Sequence, residues 1–231
     1  GTMNLLALET SCEHASVALH HAGQTRERQL NGHANHSEHI LSVIDALFAD
    51  FGLRASQLDA VAFGSGPGAF TGLRLSCGIA QGLALGADLP VIPVCSLDAL
   101  ALQAGPGHVL VATDARMHEI YHAAYEVFPD SVARLSEPAC CPPEHLALPS
   151  AGYRVIGSAL RAYSDRFSVL LGEHYETGLA DAVPLARDVL TLARAAFDRG
   201  EVVPAELAAP MYVRDKVALT TAERLARGGR A

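Results

Sequence analysis

Two segments of this chain carry residues at spacings that could do chemistry. The first is Gly64-Ser65-Gly66-Pro67-Gly68-Ala69-Phe70-Thr71-Gly72, a glycine-dense turn between a buried-type strand and the start of a helix. Backbone N–H groups and the helix dipole at such a junction favour an anion. Gly66, Gly68 and Thr71, with Glu9 at the end of the first strand, are therefore the candidate anion or nucleotide site. The turn matches no phosphate motif, however. It lacks the Gly-Lys-Ser/Thr ending of a Walker loop, and Thr71 stands where G-x-G-x-x-G needs its third glycine. Phe63 replaces the first glycine of a nucleophile elbow around Ser65. A tight turn of purely structural purpose accounts for the same residues.

The second segment, His118-Glu119-Ile120-Tyr121-His122, is a literal H-E-x-x-H, which on a helix would place two histidines one turn apart for zinc peptidase chemistry. The preceding turn Asp114-Ala115-Arg116 and the β-formers Ile120, Tyr121, Tyr125 and Val127 favour a strand instead. On a strand the two histidines stand roughly 13 Å apart and cannot share a metal. His33, His36 and His39, spaced by three, fan across a helix face and read as a polar helix start. Asp98 and Asp114 have no evident acid or base partner in the sequence. No catalytic residue and no metal ligand is assigned.

The elements that must position these residues are legible from periodicity. Leu5-Leu6-Ala7-Leu8 and the alternating Ser16-Val17-Ala18-Leu19-His20 predict two strands of a meander, with residues 26–30 a third, more exposed one. Asn35, three residues before Glu38, resembles a capping box for an amphipathic helix carrying Ile40, Leu41, Ile44, Leu47, Phe48 and Phe51. Residues 58–64 predict a strand, and Thr71 is placed to cap a helix over 72–87. Residues 91–94 follow as a strand, and Ser96 is placed to cap a helix through Leu102. Gly105-Pro106-Gly107 reads as a linker, dividing the chain into lobes 3–104 and 108–231.

Beyond it the opening pattern returns at an offset of about one hundred residues: Val109-Leu110-Val111-Ala112, an acid, a turn, and a run over 120–127. The remainder is thinner, with an irregular stretch at Pro138, Pro142, Pro143 and Pro149, a short strand at 154–157 and a helix over 185–197.

Composition excludes several classes. The net charge of −8 argues against this surface gripping a nucleic-acid backbone unaided. The cluster Arg214, Lys216, Arg224, Arg227 and Arg230 is the local exception, and it reads as a solvated tail. The five cysteines are odd in number and form no C-x-x-C, so reduced thiols are expected. No apolar run reaches the ~18 residues of a membrane span, and Met3 enters a strand without a basic leader, so a cytoplasmic location is expected.

Gly78, Gly82 and Gly86 recur every four residues along one helix face. Each costs about 1 kcal/mol of helix stability relative to alanine, about 3 in total, which some contact should offset. With Leu75, Ile79 and Leu83 beside them, they allow a close helix–helix approach, either inside this chain or to another subunit. The second reading makes Leu75, Gly78, Ile79, Gly82, Leu83 and Gly86, with Ile40, Leu41, Ile44, Leu47 and Phe48, the candidate partner-binding residues.

The segments LLALETSCEHASVAL, GSGPGAFTGLRLSCGIAQGLALG and ATDARMHEIYHAAYE, with the weaker APMYVR, resemble the bacterial TsaB (YeaZ) family. That resemblance implies an α/β, two-lobed fold of the actin and sugar-kinase type, ribonuclease-H-like in each lobe, with a reduced second lobe. It implies a dimerisation subunit in making N6-threonylcarbamoyladenosine on tRNA, paired with a TsaD-type catalytic subunit and served by a TsaE-type ATPase. ATP and a metal ion would then sit on those partners, with no cofactor in this chain, and tRNA would be met only through the complex. Whether the chain alone is a monomer or a homodimer stays open. The family opening has Asp where Glu9 stands. The TsaD-type subunit carries metal-binding histidines just beyond the shared loop and helix, whereas Val94-Cys95-Ser96-Leu97-Asp98-Ala99-Leu100 here contains none. Two other readings are an independent ATP-using enzyme of the same superfold and the zinc peptidase.

Overall fold

The computed structural model describes residues 3–30, 36–175 and 178–213. Asn35, His33 and the basic cluster from Arg214 onward lie outside them. Three antiparallel strands open the chain: β1 (Leu5–Glu9), β2 (Ala15–His21) and β3 (Gln24–Leu30). Helix α1 (His36–Phe51) leads to β4 (Ala60–Gly66), which pairs parallel to β1; α2 (Phe70–Ala87) leads to β5 (Val91–Cys95), parallel to β4. The sheet order is β3-β2-β1-β4-β5.

Helix α3 (Ser96–Gln103) then leads into a second sheet. It contains β6 (Gly107–Asp114), β7 (Ile120–Val127), β8 (Val132–Arg134), β9 (Ala139–Cys141) and β10 (Arg154–Ile156) in the order β10-β6-β7-β8, with β9 also on β7. In both sheets an antiparallel pair gains a parallel strand beside its first member, β4 on β1 and β10 on β6. This is the repeat expected from the sequence, in a two-sheet α/β fold. Among the described residues no helix is long and apolar enough to cross a membrane.

Strand alternation sorts side chains onto two faces of the first sheet. Leu6, Leu8, Val17, Leu19, Val61 and Phe63 meet α1 and α2 on one face. Leu5, Ala7, Ala18, Ala60 and Ala62 form a flatter face on the other. Helix α6 (Ala186–Asp198), in sequence beyond the second sheet, returns to cover that face through Ala186, Val189, Leu190 and Ala193. Two shorter helices, α4 (Ala159–Ala162) and α5 (Ser164–Leu171), pack on the second sheet.

Helix α3 serves both sheets, Ala99 on the first and Leu97, Leu100 and Ala101 on the second. Asp98 on α3 accepts from the Tyr125 hydroxyl (2.5 Å) and from Arg134 through both carboxylate oxygens (3.0 Å each). Arg154 donates to the carbonyls of Ala104, Gly105 (2.7 Å) and Pro106 (2.9 Å), fastening the turn between the sheets to β10.

Asp188, in the first turn of α6, is a local fault in this packing. Among the described residues its Oδ2 is buried without a hydrogen-bond partner. Burial, aided by nearby Glu27 and opposed by Arg187 and Gln103, lifts its carboxyl to about 6. Because the folded value lies above the unfolded one, ionisation penalises the folded state increasingly as pH rises from about 4 to about 6. Discounted for partial solvent access, Asp188→Asn should stabilise the chain by ~1–2 kcal/mol at pH 7 and by almost nothing at pH 4. Urea midpoints at the two pH values measure this, and equal shifts at both would contradict it.

Candidate protein-binding face

The glycine turn is shaped by what it packs on. A Cβ at Gly64 would overlap the Glu9 carboxylate, one at Gly72 would overlap the Thr10 carbonyl oxygen, and one at Gly68 would lie 2.5 Å from the Ser11 carbonyl oxygen. Real Cβ atoms essentially never come within 3.0 Å, so Gly68 and Gly72 let the start of α2 lie against the β1–β2 turn, and Gly64 on β4 leaves room for the Glu9 side chain of β1. Hydrogen bonds fix the approach: Ala69 N–H donates to the Ser11 carbonyl (2.7 Å) and Thr10 Oγ1 to the Gly72 carbonyl (2.5 Å). The Gly66–Pro67 peptide is cis, and Gly66 sits at φ 102°.

Several expectations change here. Helix α2 begins at Phe70 with Ala69 in the cap position and no side-chain cap, so Thr71 is an exposed residue of the first turn. Ser96 likewise lies inside α3 and caps nothing. Its buried hydroxyl donates to Glu9 Oε2 (3.1 Å) and accepts from Gly66 N–H (3.2 Å), a bond spanning distant chain segments that no local pattern could reveal. Glu9 is buried, also accepts from Ser11 N–H (2.9 Å), and has its carboxyl raised by burial.

The four candidate anion residues therefore do not converge. Glu9 is spent inside, the Gly66 N–H is used, Gly68 is packed on Ser11, and Thr71 faces outward.

The other glycines behave in the opposite way. Among the described residues a Cβ at Gly78, Gly82 or Gly86 would meet nothing within 4 Å, and all three are exposed along α2. Leu75, Ile79 and Leu83 flank them half-buried, while Leu85 is 56% and Phe70 48% exposed.

On α1, Ile40, Ile44, Leu47 and Phe48 are buried in the core of the first sheet, and only Leu41 of the candidate set is exposed, at 53%. The correction has a simple cause. An amphipathic helix has one apolar stripe, and the stripe that fits the chain's own sheet is taken by it.

His118 lies in the turn before β7 and donates through Nε2 to Glu144 (2.9 Å), whereas His122 is on β7 opposite Ala112. They share no helix face, and among the described residues no group of three His, Cys, Asp or Glu could hold a metal. His36 Nε2 donates to the Glu13 carbonyl (2.7 Å), and His39 is exposed on α1. Asp98 and Asp114 do have partners, Asp98 as above and Asp114 with Arg116 and the Tyr163 hydroxyl. None of the five cysteines is joined in a disulfide to another described residue.

Between the two sheets lies a cleft of about 580 Å³. Ser11 and Glu13 line it from one side and Asp114, Arg116, Ser158 and Arg161 from the other. Met211, Tyr212 and Val213, within the weaker APMYVR match and at the start of a stretch whose sequence reads as a solvated tail, also line it.

Comparison with known proteins adds to this geometry. The family described as "TsaD: tRNA N6-adenosine threonylcarbamoyltransferase" matches residues 31–181. The chain is 37% identical to the tRNA threonylcarbamoyladenosine biosynthesis protein TsaB of Haemophilus influenzae, over 93% of this chain and 95% of that one. It is 35% identical to the Escherichia coli K12 protein of the same name, over 94% and 96%. The solved structure of YeaZ from Pseudomonas aeruginosa superposes with a TM-score of 0.80 at 36% identity, covering 91% of this chain and 99% of that one.

Proposed function

The chain belongs to the TsaB (YeaZ) family of tRNA threonylcarbamoyladenosine biosynthesis proteins, and on that premise we propose that it is a non-catalytic subunit docking a TsaD-type threonylcarbamoyltransferase through the outer face of α2. The observation that carries this reading is the row Gly78, Gly82 and Gly86, exposed with open space where each Cβ would stand. Glycines in mid-helix weaken the isolated helix, and a second backbone seated against them would compensate. Leu75, Ile79 and Leu83, with exposed Leu85 and Phe70 on the same helix, supply apolar contact around that seam, and Leu41 is a further exposed apolar residue on α1.

A non-catalytic role has support at the strand–helix junction 94–100, which contains no histidine. Burial raises the Cys95 thiol to about 12, far from a reactive thiolate, and Ser96 is committed to Glu9. The charge of −8 fits a subunit that meets tRNA only within the complex, in the cytoplasm, with ATP and metal on the TsaD-type and TsaE-type partners. The independent ATP-binding reading has the cleft in its favour, but the loop residues it relied on are turned to packing.

The test is co-purification with the cognate TsaD-type subunit. The wild-type chain should form a complex at micromolar concentration. Gly82→Leu, at an exposed position whose Cβ enters open space, should fold normally and bind at least about tenfold more weakly. Equal binding by both proteins would sink the assignment of this face. The same variant in gel filtration shows whether a homodimer uses it too.

A further inference from the structure

The residues just before position 214 cross the cleft instead of following one lobe. They leave a short turn, Ala205–Leu207, which Gln81 holds to α2 by donating to the Ala205 carbonyl (2.9 Å). Met211 N–H then donates to the Ser65 carbonyl (2.7 Å) on β4. A Cβ on Gly66 would lie 3.0 Å from the Met211 carbonyl oxygen, so this backbone lies flush on the glycine turn. Tyr212 packs on Phe70 with ring centroids 5.2 Å apart, and the Arg74 guanidinium sits 3.8 Å from the Phe70 centroid. Val213, only 3% exposed, belongs to the core of the second sheet with Leu97, Ala115 and Tyr121.

We propose that Met211, Tyr212 and Val213 form a clasp that holds the interlobe cleft closed and ties its closure to the exposed end of the α2 face. Three consecutive residues grip three bodies: β4, the start of α2, and the second core. Among the described residues the grip is small: a backbone hydrogen bond from Met211, a ring contact from Tyr212, and the buried Val213 and partly buried Met211 side chains on the second core. A holding of that size opens locally while the sheets stay intact. Phe70 is half-exposed and bears on Tyr212, so anything that binds Phe70 better in one clasp position than in the other shifts the clasp, and closure feeds back on that binding equally. The coupling deepens the protein-binding reading of α2; the clasp itself stands without it.

Amide hydrogen exchange on the isolated full chain tests this with no partner present, so its outcome is separable from the docking assignment. The Met211 amide is the reporter. It should be protected in the wild type and should exchange about tenfold or more faster in Val213→Ser, which loosens the far end, and in Phe70→Ala, which removes the ring contact. Core amides of β1 and β6 should keep their wild-type rates, and small-angle scattering should show a larger radius of gyration for both variants. An unprotected Met211 amide in the wild type would overturn the proposal. So would unchanged protection in either variant, or equal acceleration throughout both sheets.

Discussion

Gly72→Ala should remove a large part of this protein's stability although it adds a single methyl group. The new Cβ would overlap the Thr10 carbonyl oxygen, a backbone atom that cannot rotate away. Thr10 is itself held, its hydroxyl donating to the Gly72 carbonyl (2.5 Å), and the adjacent Ser11 carbonyl accepts from Ala69. Relief therefore requires α2 to move off the β1–β2 turn. Overpacking with a backbone shift costs on the order of 3 kcal/mol, out of a total stability of about 5–15. For a chain of this size that is a fall of about 6–12 °C in Tm, measurable by calorimetry. A Tm within a degree of wild type would show that the turn is slack and that its glycines are dispensable.

The triple variant Gly78→Ala, Gly82→Ala, Gly86→Ala should do the reverse to the isolated protein. Each methyl enters open space, and each replacement recovers up to about 1 kcal/mol of helix propensity, partly by restricting the unfolded chain. A gain of about 2–3 kcal/mol is expected, raising Tm by several degrees. The same methyls hold a docking helix away, so affinity for the TsaD-type subunit should fall while stability rises. Opposite signs in the two measurements are the signature of glycines retained for contact rather than for folding. Parallel changes, or no gain in Tm, would contradict this.

These two glycine sets lie within one continuous segment, and sequence spacing separates them only in part. The four-residue recurrence of Gly78, Gly82 and Gly86 marks a helix face unaided. The crowding at Gly64, Gly68 and Gly72 depends on Glu9, Ser11 and Thr10 respectively, more than fifty residues earlier. The same division runs through the rest of the chain. The strands of the opening meander, α1, α2 and α6 follow from periods of two and 3.6, because burial of one face writes itself into the local pattern.

The features that local pattern does not carry depend on distant partners. The Ser96 hydroxyl serves Glu9 rather than a helix end, and the α1 stripe serves its own sheet. Strand β9, within a proline-rich stretch that reads as irregular, exists because β7 offers it an edge. Val213 gave no local sign of burial, since its neighbours in space come from α3 and the β6–β7 region.

The return of α6 to the first sheet bears on how the protein is made. The Ala186 amide donates to the Ser16 hydroxyl across 170 positions (2.9 Å), and α6 alone brings Ala186, Val189, Leu190 and Ala193 to the alanine-rich face. During synthesis at ~5–20 residues per second, β1, β2 and β4 can pair early, yet that face waits on the order of ten to thirty seconds for its cover. Throughout that interval the nascent chain presents an apolar sheet surface at the ribosome. Such a surface is what holdase chaperones bind, so production of this protein should depend more on them than its modest length suggests.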